Sequence, residues 1–167
     1  MATLNFKGNP VQTNGDLPQI GQSIAAFSLV KTDLSRVSLN DYAGKNVVLN
    51  IFPSVDTGVC AQSVRTFNEK AASAANTVIL NVSKDLPFAH GRFCAAEGIE
   101  NAISVSDFAD ATFATDNGLL MQDGPLAGLL ARSVIVLNGE GNVVYTELVD
   151  DIVNEPNYEA ALNSINA

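Results

Sequence analysis

The chain has 167 residues, of which 47% are hydrophobic and 16% are charged, a composition typical of one globular domain rather than of an intrinsically disordered chain. Nine basic and eighteen acidic residues give a formal net charge of −9, which argues against nucleic-acid binding and against docking on anionic lipid. The longest uninterrupted apolar runs have four residues and the N-terminus has no apolar leader segment. We therefore expect neither a membrane span nor a secretory signal, and we expect a cytoplasmic protein.

Hydrophobic patterns predict the secondary structure in chain order. The segments 4–6 and 11–13, on either side of the turn Lys7-Gly8-Asn9-Pro10, predict a small N-terminal hairpin. Apolar and β-branched runs predict further strands at residues 27–30, 47–52, 77–82, 103–105, 133–137 and 143–147. Apolar residues at helical spacing predict a helix over 58–75 and a last helix that begins at 154–156. Pro87 and Gly98 bound a predicted helix over 87–97, and a helical turn is predicted at 41–44.

The core of this pattern reads β-α-β-α followed by β-β-α. Two βα units with right-handed crossovers predict parallel strands at the centre, and the C-terminal hairpin adds antiparallel strands. This order predicts an α/β, thioredoxin-like fold in which helices flank a central mixed sheet and the N-terminal β-hairpin is an extension. Because no linker or repeat interrupts the chain, we expect residues 1–167 to form a single domain.

Cys60 is predicted to lie two residues into the helix that follows the buried strand at 47–52. Helix amides without an intrahelical partner, together with the helix dipole, stabilise an anion there and so favour the thiolate. Thr57 precedes the cysteine by one helical turn, where it could cap the helix and donate its hydroxyl to the site, and Pro53 fixes the turn out of the strand. The alternative is an inert core thiol, but the polar residues around Cys60 weigh against it.

Cys94 is predicted to lie in the second helix among apolar neighbours, so it is either a buried thiol or a redox partner. No C-x-x-C dithiol is present, and two cysteines are too few for a disulfide-stapled scaffold. Two other chemistries use His90. A Cys60–His90 hydrolase dyad and a zinc site on Cys94 and His90 are both disfavoured, because such a lone histidine is more often a surface residue and structural zinc needs four ligands.

The segment Pro53-Ser54-Val55-Asp56-Thr57-Gly58-Val59-Cys60 matches the peroxiredoxin motif P-x-x-x-T-x-x-C. Further segments along the chain resemble those of bacterial thiol peroxidases, the atypical two-cysteine branch of the peroxiredoxins. These segments are residues 8–11, 63–68, 85–89, 92–94 and 123–129.

The resemblance implies a role for each matching residue. Cys60 would be the peroxidatic cysteine, which attacks a peroxide as thiolate and becomes a sulfenic acid. Thr57 would hydrogen-bond the thiolate and the peroxide, Arg132 would stabilise the charge on both, and Pro53 would shield the site from water. Cys94 would be the resolving cysteine, forming an intramolecular disulfide that thioredoxin reduces.

The resemblance also implies a function. The protein would reduce hydrogen peroxide and alkyl or lipid hydroperoxides in antioxidant defence, as a homodimer and without a metal or organic cofactor. Apolar residues such as Phe27 or Leu120 are candidates for favouring long-chain peroxides. The rival interpretations are a non-enzymatic peroxide sensor that relays oxidation to a partner protein, and an interaction protein with inert thiols.

Two expectations concern the rest of the chain. Because a disulfide needs Cα atoms within about 7 Å, two cysteines in separate helices predict local unwinding during turnover. The remaining charged residues are predicted to be solvated or ion-paired at the surface. They include Arg36, Arg65 and Arg92, and the scattered carboxylates Asp107, Asp110, Asp116, Asp123, Asp150 and Asp151, which do not form a calcium loop.

Overall fold

A computed structural model describes residues 1–71, 73–100 and 102–165. Within these ranges, strands β1 (Thr3–Phe6) and β2 (Asn9–Gln12) form the predicted N-terminal hairpin. The other strands are β3 (Leu29–Lys31), β4 (Arg36–Val37), β5 (Asn46–Ile51), β6 (Thr77–Ser83), β7 (Ala102–Ser106), β8 (Ser133–Leu137) and β9 (Val143–Leu148). The helices are α1 (Gly58–Ala71), α2 (Pro87–Glu97), α3 (Thr112–Asp116) and α4 (Tyr158–Asn163), with a 3₁₀ helix at Leu39–Tyr42.

Strands β3 to β9 form one mixed sheet with the order β4-β3-β7-β6-β5-β8-β9. Strands β5, β6 and β7 are parallel, as the two βα units predict, and the remaining neighbours are antiparallel. The thioredoxin-like fold with its N-terminal hairpin is therefore confirmed.

Strand β5 lies between β6 and β8, and both of its faces are buried. Val47, Leu49 and Ile51 pack into one core cluster, whose aromatic members include Phe113 of α3. Val48 lies in the cluster on the other face with Phe67 of α1. The apolar run of β5 therefore packs into the cores on both faces of the sheet. The chain leaves the C-terminal end of β5 through residues 52–57 and then enters α1.

The first helix and the last helix differ from their predicted bounds. The first was expected to reach residue 75, but α1 ends at Ala71, and residue 72 lies outside the described residues. Ser73 donates both its amide and its hydroxyl to the carbonyl of Lys70, at 3.2 and 3.0 Å, which closes the chain in a turn. The last helix begins later than residues 154–156, because the side chain of Asn157 caps it by accepting a hydrogen bond from Ala160 N at 3.0 Å.

The N-terminal hairpin packs against the segment that follows β9. Leu4 and Val11 share a core cluster with Ile152. The carboxylate of Asp151 accepts hydrogen bonds from Lys7 N at 3.1 Å and Gly8 N at 2.9 Å. The hairpin is thus fixed to the same segment that, as shown below, holds a residue of the candidate site.

Among the helices that the structure describes, none is long and apolar enough to cross a membrane.

Candidate active site

Cys60 lies in the first turn of α1, at the C-terminal edge of the parallel strands, and its side chain is 0% exposed. Two buried hydrogen bonds connect this turn to β5. Asn50 of β5 donates to Ser63 Oγ at 3.2 Å, and Ser63 Oγ donates to the carbonyl oxygen of Cys60 at 2.8 Å. The backbone at Cys60 is therefore tied to the sheet through Ser63 and Asn50.

Arg132, which directly precedes β8, is the polar partner of that sulfur. One terminal nitrogen of its guanidinium donates to Cys60 Sγ at 3.0 Å. Its Nε donates to the carbonyl oxygen of Ile152 at 2.7 Å, which fixes the plane of the guanidinium. Arg132 is 1% exposed, and among the described residues it forms no ion pair with a carboxylate.

A buried arginine without a carboxylate favours an anion at the neighbouring group. Among the described residues, Cys60 Sγ is the side-chain atom that accepts a hydrogen bond from the guanidinium of Arg132. The second terminal nitrogen of Arg132 is buried and has no partner in the part of the chain that the structure describes. A donor is therefore still free beside the sulfur to bind an incoming oxygen atom.

Thr57 and Pro53 line the same cavity as Arg132. The carbonyl of Thr57 accepts the first helical hydrogen bond from Ala61 N at 3.0 Å, which places Thr57 at the helix start as expected. Its hydroxyl does not cap the helix as proposed from the sequence, but donates to the carbonyl of Ser54 at 3.1 Å. Because that bond uses the hydroxyl proton, the oxygen of Thr57 is left as an acceptor for a donor in the cavity.

The cavity has a volume of about 300 Å³ and is largely apolar. Apart from the polar side chains of Thr57, Arg132 and Lys7, its lining is hydrophobic and comes from the N-terminal hairpin, from α1 and from three loops. The apolar lining includes Phe6, Val59, Leu126, Ile152 and Val153. Phe27 and Leu120, the candidates from the sequence, do not line this cavity, because both pack with the core cluster that contains Leu49 and Ile51.

Cys94 lies apart from this cavity. It is half-buried on α2, its sulfur is 3.3 Å from Ser104 Oγ of β7, and it lines a different cavity with Lys31 and Asp33. Both cysteines are free thiols. The structure thus brings Cys60, Thr57, Pro53 and Arg132 together and places Cys94 in separate surroundings.

His90 is buried rather than at the surface, so that prediction was wrong. Its Nε2 lies 3.1 Å from Ser83 Oγ, and burial lowers the pKa of its imidazole, although the charge of Asp85 opposes this shift. The residues Gly91 and Arg92 beside it suggested exposure, but the helical face that bears His90 packs against the end of β6. His90 therefore contacts Ser83 rather than Cys60. Within the described residues no cluster of three or more potential metal ligands occurs.

The predicted ion pairs of the arginines are present. Arg36 pairs with Asp110, Arg65 with Glu97 and Arg92 with Asp56. The prediction of solvated carboxylates was wrong in one respect, because Asp107 is buried and accepts from Ala114 N at 3.0 Å.

Sequence reasoning missed two residues that organise the site. Asp151 fixes the segment whose Ile152 carbonyl holds Arg132, and Asp85 accepts a hydrogen bond from Val55 N, in the loop between Pro53 and Thr57, at 2.8 Å. Their partners are distant in sequence, so no local pattern indicates either contact. The resemblance at residues 85–89 was the only signal that pointed towards Asp85.

Similar known proteins identify the family of this chain. A family model for redoxins matches residues 19–162. A thiol peroxidase of Corynebacterium glutamicum is 59% identical over 166 residues, which are 99% of this chain and all of that protein. The chain belongs to the redoxin family, among the bacterial thiol peroxidases. A thiol peroxidase of Mycobacterium tuberculosis is 54% identical over the full length of both chains.

Solved structures of peroxiredoxins have the same fold. A peroxiredoxin-like protein of Aquifex aeolicus superposes with a TM-score of 0.94 at 36% identity, covering 99% of this chain and 96% of the other. A thiol peroxidase of Chromobacterium violaceum, at 19% identity, has a TM-score of 0.88 over 95% of this chain and 91% of its own, which supports the fold alone. The relatives at 59% and 54% identity and the structure at 36% identity show that the protein is a peroxidase of the peroxiredoxin family.

Proposed function

We propose that this thiol peroxidase reduces hydrogen peroxide and alkyl or lipid hydroperoxides through a two-cysteine cycle, in which Cys60 is peroxidatic and Cys94 is resolving. The contact between Arg132 and Cys60 Sγ at 3.0 Å carries the proposal. It pairs a nucleophile with a fully buried cation, beside a cavity that is open to a small molecule.

In the first step the Cys60 thiolate attacks the terminal oxygen of the peroxide. An S–O bond forms, the O–O bond breaks, and an alkoxide or hydroxide leaves and takes a proton from water. The attacked oxygen keeps its hydrogen, and Cys60 becomes a sulfenic acid. The free guanidinium nitrogen of Arg132 donates to the leaving oxygen, where negative charge develops. The hydroxyl oxygen of Thr57 accepts the hydrogen of the attacked oxygen, and Pro53 excludes water from one wall.

In the second step Cys94 attacks Cys60 Sγ as a thiolate. An S–S bond forms, the S–O bond breaks, and the released hydroxide becomes water on protonation. Cys60 is buried with its sulfur in contact with Arg132, whereas the sulfur of Cys94 contacts Ser104 of β7. We therefore infer that the first turn of α1, α2, or both unwind before the disulfide forms.

Thioredoxin would complete the cycle by thiol–disulfide exchange, and no metal or organic cofactor enters any step. We further propose that residues 1–167 act as one domain, since the N-terminal hairpin contributes Phe6 and Lys7 to the cavity. A cytoplasmic location and a homodimer complete the proposal and rest on the resemblance.

The lining of the cavity supports organic hydroperoxides as substrates. Phe6, Leu126 and Val153 offer apolar surface next to the position that the oxygen atoms would occupy. Burial of an alkyl group against such side chains is favourable, whereas hydrogen peroxide has nothing to bury. An organic hydroperoxide would therefore bind more tightly than hydrogen peroxide.

Turnover with thioredoxin, thioredoxin reductase and NADPH tests the proposal. We expect peroxide-dependent NADPH consumption with the unchanged chain, no consumption with Cys60→Ser, and a single oxidation without turnover with Cys94→Ser. Oxidation of Cys60 without turnover in the unchanged chain would favour the peroxide sensor instead. Absence of any reaction at Cys60 would refute the peroxidase.

A further inference from the structure

The carboxylate of Asp85 joins the loop before Cys60 to the segment that leads into the helix of Cys94. One oxygen accepts the hydroxyl of Ser54 at 2.8 Å. The other accepts Val55 N at 2.8 Å and the hydroxyl of Ser83 at 2.6 Å. Asp85 itself lies between β6 and α2, two residues before Pro87, so one side chain connects the surroundings of both cysteines.

The same network continues into α2. Since Ser83 gives its only hydroxyl proton to Asp85, its oxygen accepts a hydrogen bond from Nε2 of His90, 3.1 Å away. His90 is buried and precedes Cys94 by one turn of the helix. The hydrogen bonds therefore form an unbroken series from Ser54 to the helix that carries Cys94. Ser54 belongs to residues 52–57, the loop before Cys60, which we call the peroxidatic loop.

A second link between the same two elements is weaker. Asp56 pairs with Arg92 of α2 at 3.0 Å, but both side chains are about two-thirds exposed, at 66% and 67%. Water and salt screen such a pair, so it contributes little. The half-buried Asp85, which accepts a backbone amide and two hydroxyls, is the stronger restraint on residues 54 and 55.

These contacts oppose the motion that disulfide formation requires. Cys60 is 0% exposed and Cys94 lies beside Ser104 of β7. Unwinding on the Cys60 side would draw residues 54 and 55 away from Asp85 and break the hydrogen bonds of Ser54 and Val55 to its carboxylate. While the loop stays closed, a Cys60 sulfenic acid stays beside Arg132, which lines the cavity. There a second peroxide can transfer one oxygen to it, which gives a sulfinic acid and an alcohol and ends the cycle.

We propose that Asp85 is a positioning residue that holds the peroxidatic loop closed and sets the partition of the sulfenic acid between disulfide and sulfinic acid. The inference rests on the proposed two-cysteine function. In that cycle the carboxylate of Asp85 controls the rate of the second step, in which the sulfenic acid becomes a disulfide.

Asp85→Asn tests this role, because the amide keeps the shape but presents an N–H group where a hydrogen bond was accepted. After one equivalent of peroxide, acid quenching and mass spectrometry should show disulfide forming about tenfold faster than in the unchanged chain, the fold-change expected for loss of one hydrogen bond to a charged group. With excess peroxide the sulfinic fraction should fall. Hydrogen exchange of the peptide that contains Val55 should become faster.

Asp56→Asn is the matched control, since it makes the same change in the same loop but removes only the exposed pair with Arg92. It should leave both the disulfide rate and the sulfinic fraction near those of the unchanged chain. Ser54→Ala removes one of the hydrogen bonds to Asp85 and should give an intermediate rate, which keeps the proposal testable if Asp85→Asn does not fold.

A disulfide rate for folded Asp85→Asn that is equal to or slower than that of the unchanged chain would overturn the proposal. An equal acceleration by Asp56→Asn would also overturn it. Failure of the underlying function is visible separately, because then the unchanged chain itself would form no sulfenic acid on a Cys94→Ser background or no Cys60–Cys94 disulfide.

Discussion

Arg132 and Cys60 are 72 positions apart in the chain, and a guanidinium nitrogen of one lies 3.0 Å from the sulfur of the other. The strand order explains the contact. Strand β8, which follows Arg132, pairs antiparallel with β5, so its N-terminal end lies beside the C-terminal end from which α1 departs. The antiparallel addition to a parallel core thus delivers the cation to the first turn of the helix that carries the thiol.

Replacement of Arg132 by lysine should slow the reaction of Cys60 with peroxide. Lysine retains the charge, but its single ammonium nitrogen cannot occupy the three separate donor positions that Nε and the two terminal nitrogens hold in Arg132. Loss of one preorganised donor predicts a fall of about 10²-fold or more in the second-order rate constant, measured by competition with a reference thiol. Arg65→Lys, on the helix of Cys60 but paired with Glu97, is the control and should stay near the unchanged rate. Equal rates for both variants would contradict the role of Arg132.

Asp151→Asn should loosen the N-terminal hairpin and slow the peroxide reaction without touching the cavity directly. The amides of Gly8, Val153 and Lys7 hold the pKa of this carboxyl below its usual range, so the clamp persists as the pH falls until the carboxylate is protonated at that lowered pKa. At neutral pH the variant should be cleaved faster by trypsin at Lys7. Its peroxide rate should be lower by about threefold to tenfold, the range expected for one hydrogen-bonding group.

The neighbouring Asp150→Asn controls for the charge change, since that carboxylate contacts the side chain of Asn154 and no amide of the hairpin turn. If both variants behave alike, the position of the Ile152 carbonyl does not depend on the Asp151 clamp.

His90 predicts a loss of stability on mild acidification. Burial lowers the pKa of the imidazole in the folded chain below its unfolded value of about 6.5. Between these two pKa values the unfolded chain binds a proton and the folded chain does not. The free energy of unfolding therefore falls as the pH drops through the unfolded value towards the folded pKa, with a limiting slope of about 1.4 kcal/mol per pH unit between the two pKa values.

Urea unfolding at pH 7.5 and at pH 5 measures this effect, with His90→Gln as the reference. His90 is the only histidine, so the variant removes every histidine contribution. The unchanged chain should lose more stability over this interval than the variant does, and an equal loss would show that the burial of His90 does not govern it.

Leu126→Ser should discriminate between substrates. Leu126 lines the apolar wall, and a buried alkyl contact of this size changes the rate constant by about tenfold. The rate constant for cumene hydroperoxide should therefore fall relative to that for hydrogen peroxide. Leu34→Ser, an exposed leucine in the turn between β3 and β4, should change neither. A uniform decrease for both peroxides with Leu126→Ser would argue that the wall supports the site but does not select its substrate.

The parts of the molecule that depend on local pattern were predictable from the sequence. The buried run at β5 and the turn with Pro53, Thr57 and Cys60 indicated the sheet and the position of the thiol. The resemblance added Arg132, which no spacing could connect with Cys60.

The parts that depend on tertiary contacts were not predictable in this way. His90 was expected at the surface from its chain neighbours, but the face of α2 that packs on Ser83 decides its burial. Asp151 bonds amides 143 and 144 positions away, and Asp85 bonds Val55 across 30 positions. A scattered carboxylate gives no periodic signal, so such contacts become visible only in the folded chain.

Intact mass and a non-reducing peptide map, after one equivalent of hydrogen peroxide is added to the reduced protein, test the two-cysteine cycle most directly. We expect the loss of two hydrogen atoms, with the Cys60 and Cys94 peptides linked. Gain of oxygen at Cys60 with Cys94 free would contradict the resolving role, and an unchanged mass would contradict the peroxidatic role of Cys60.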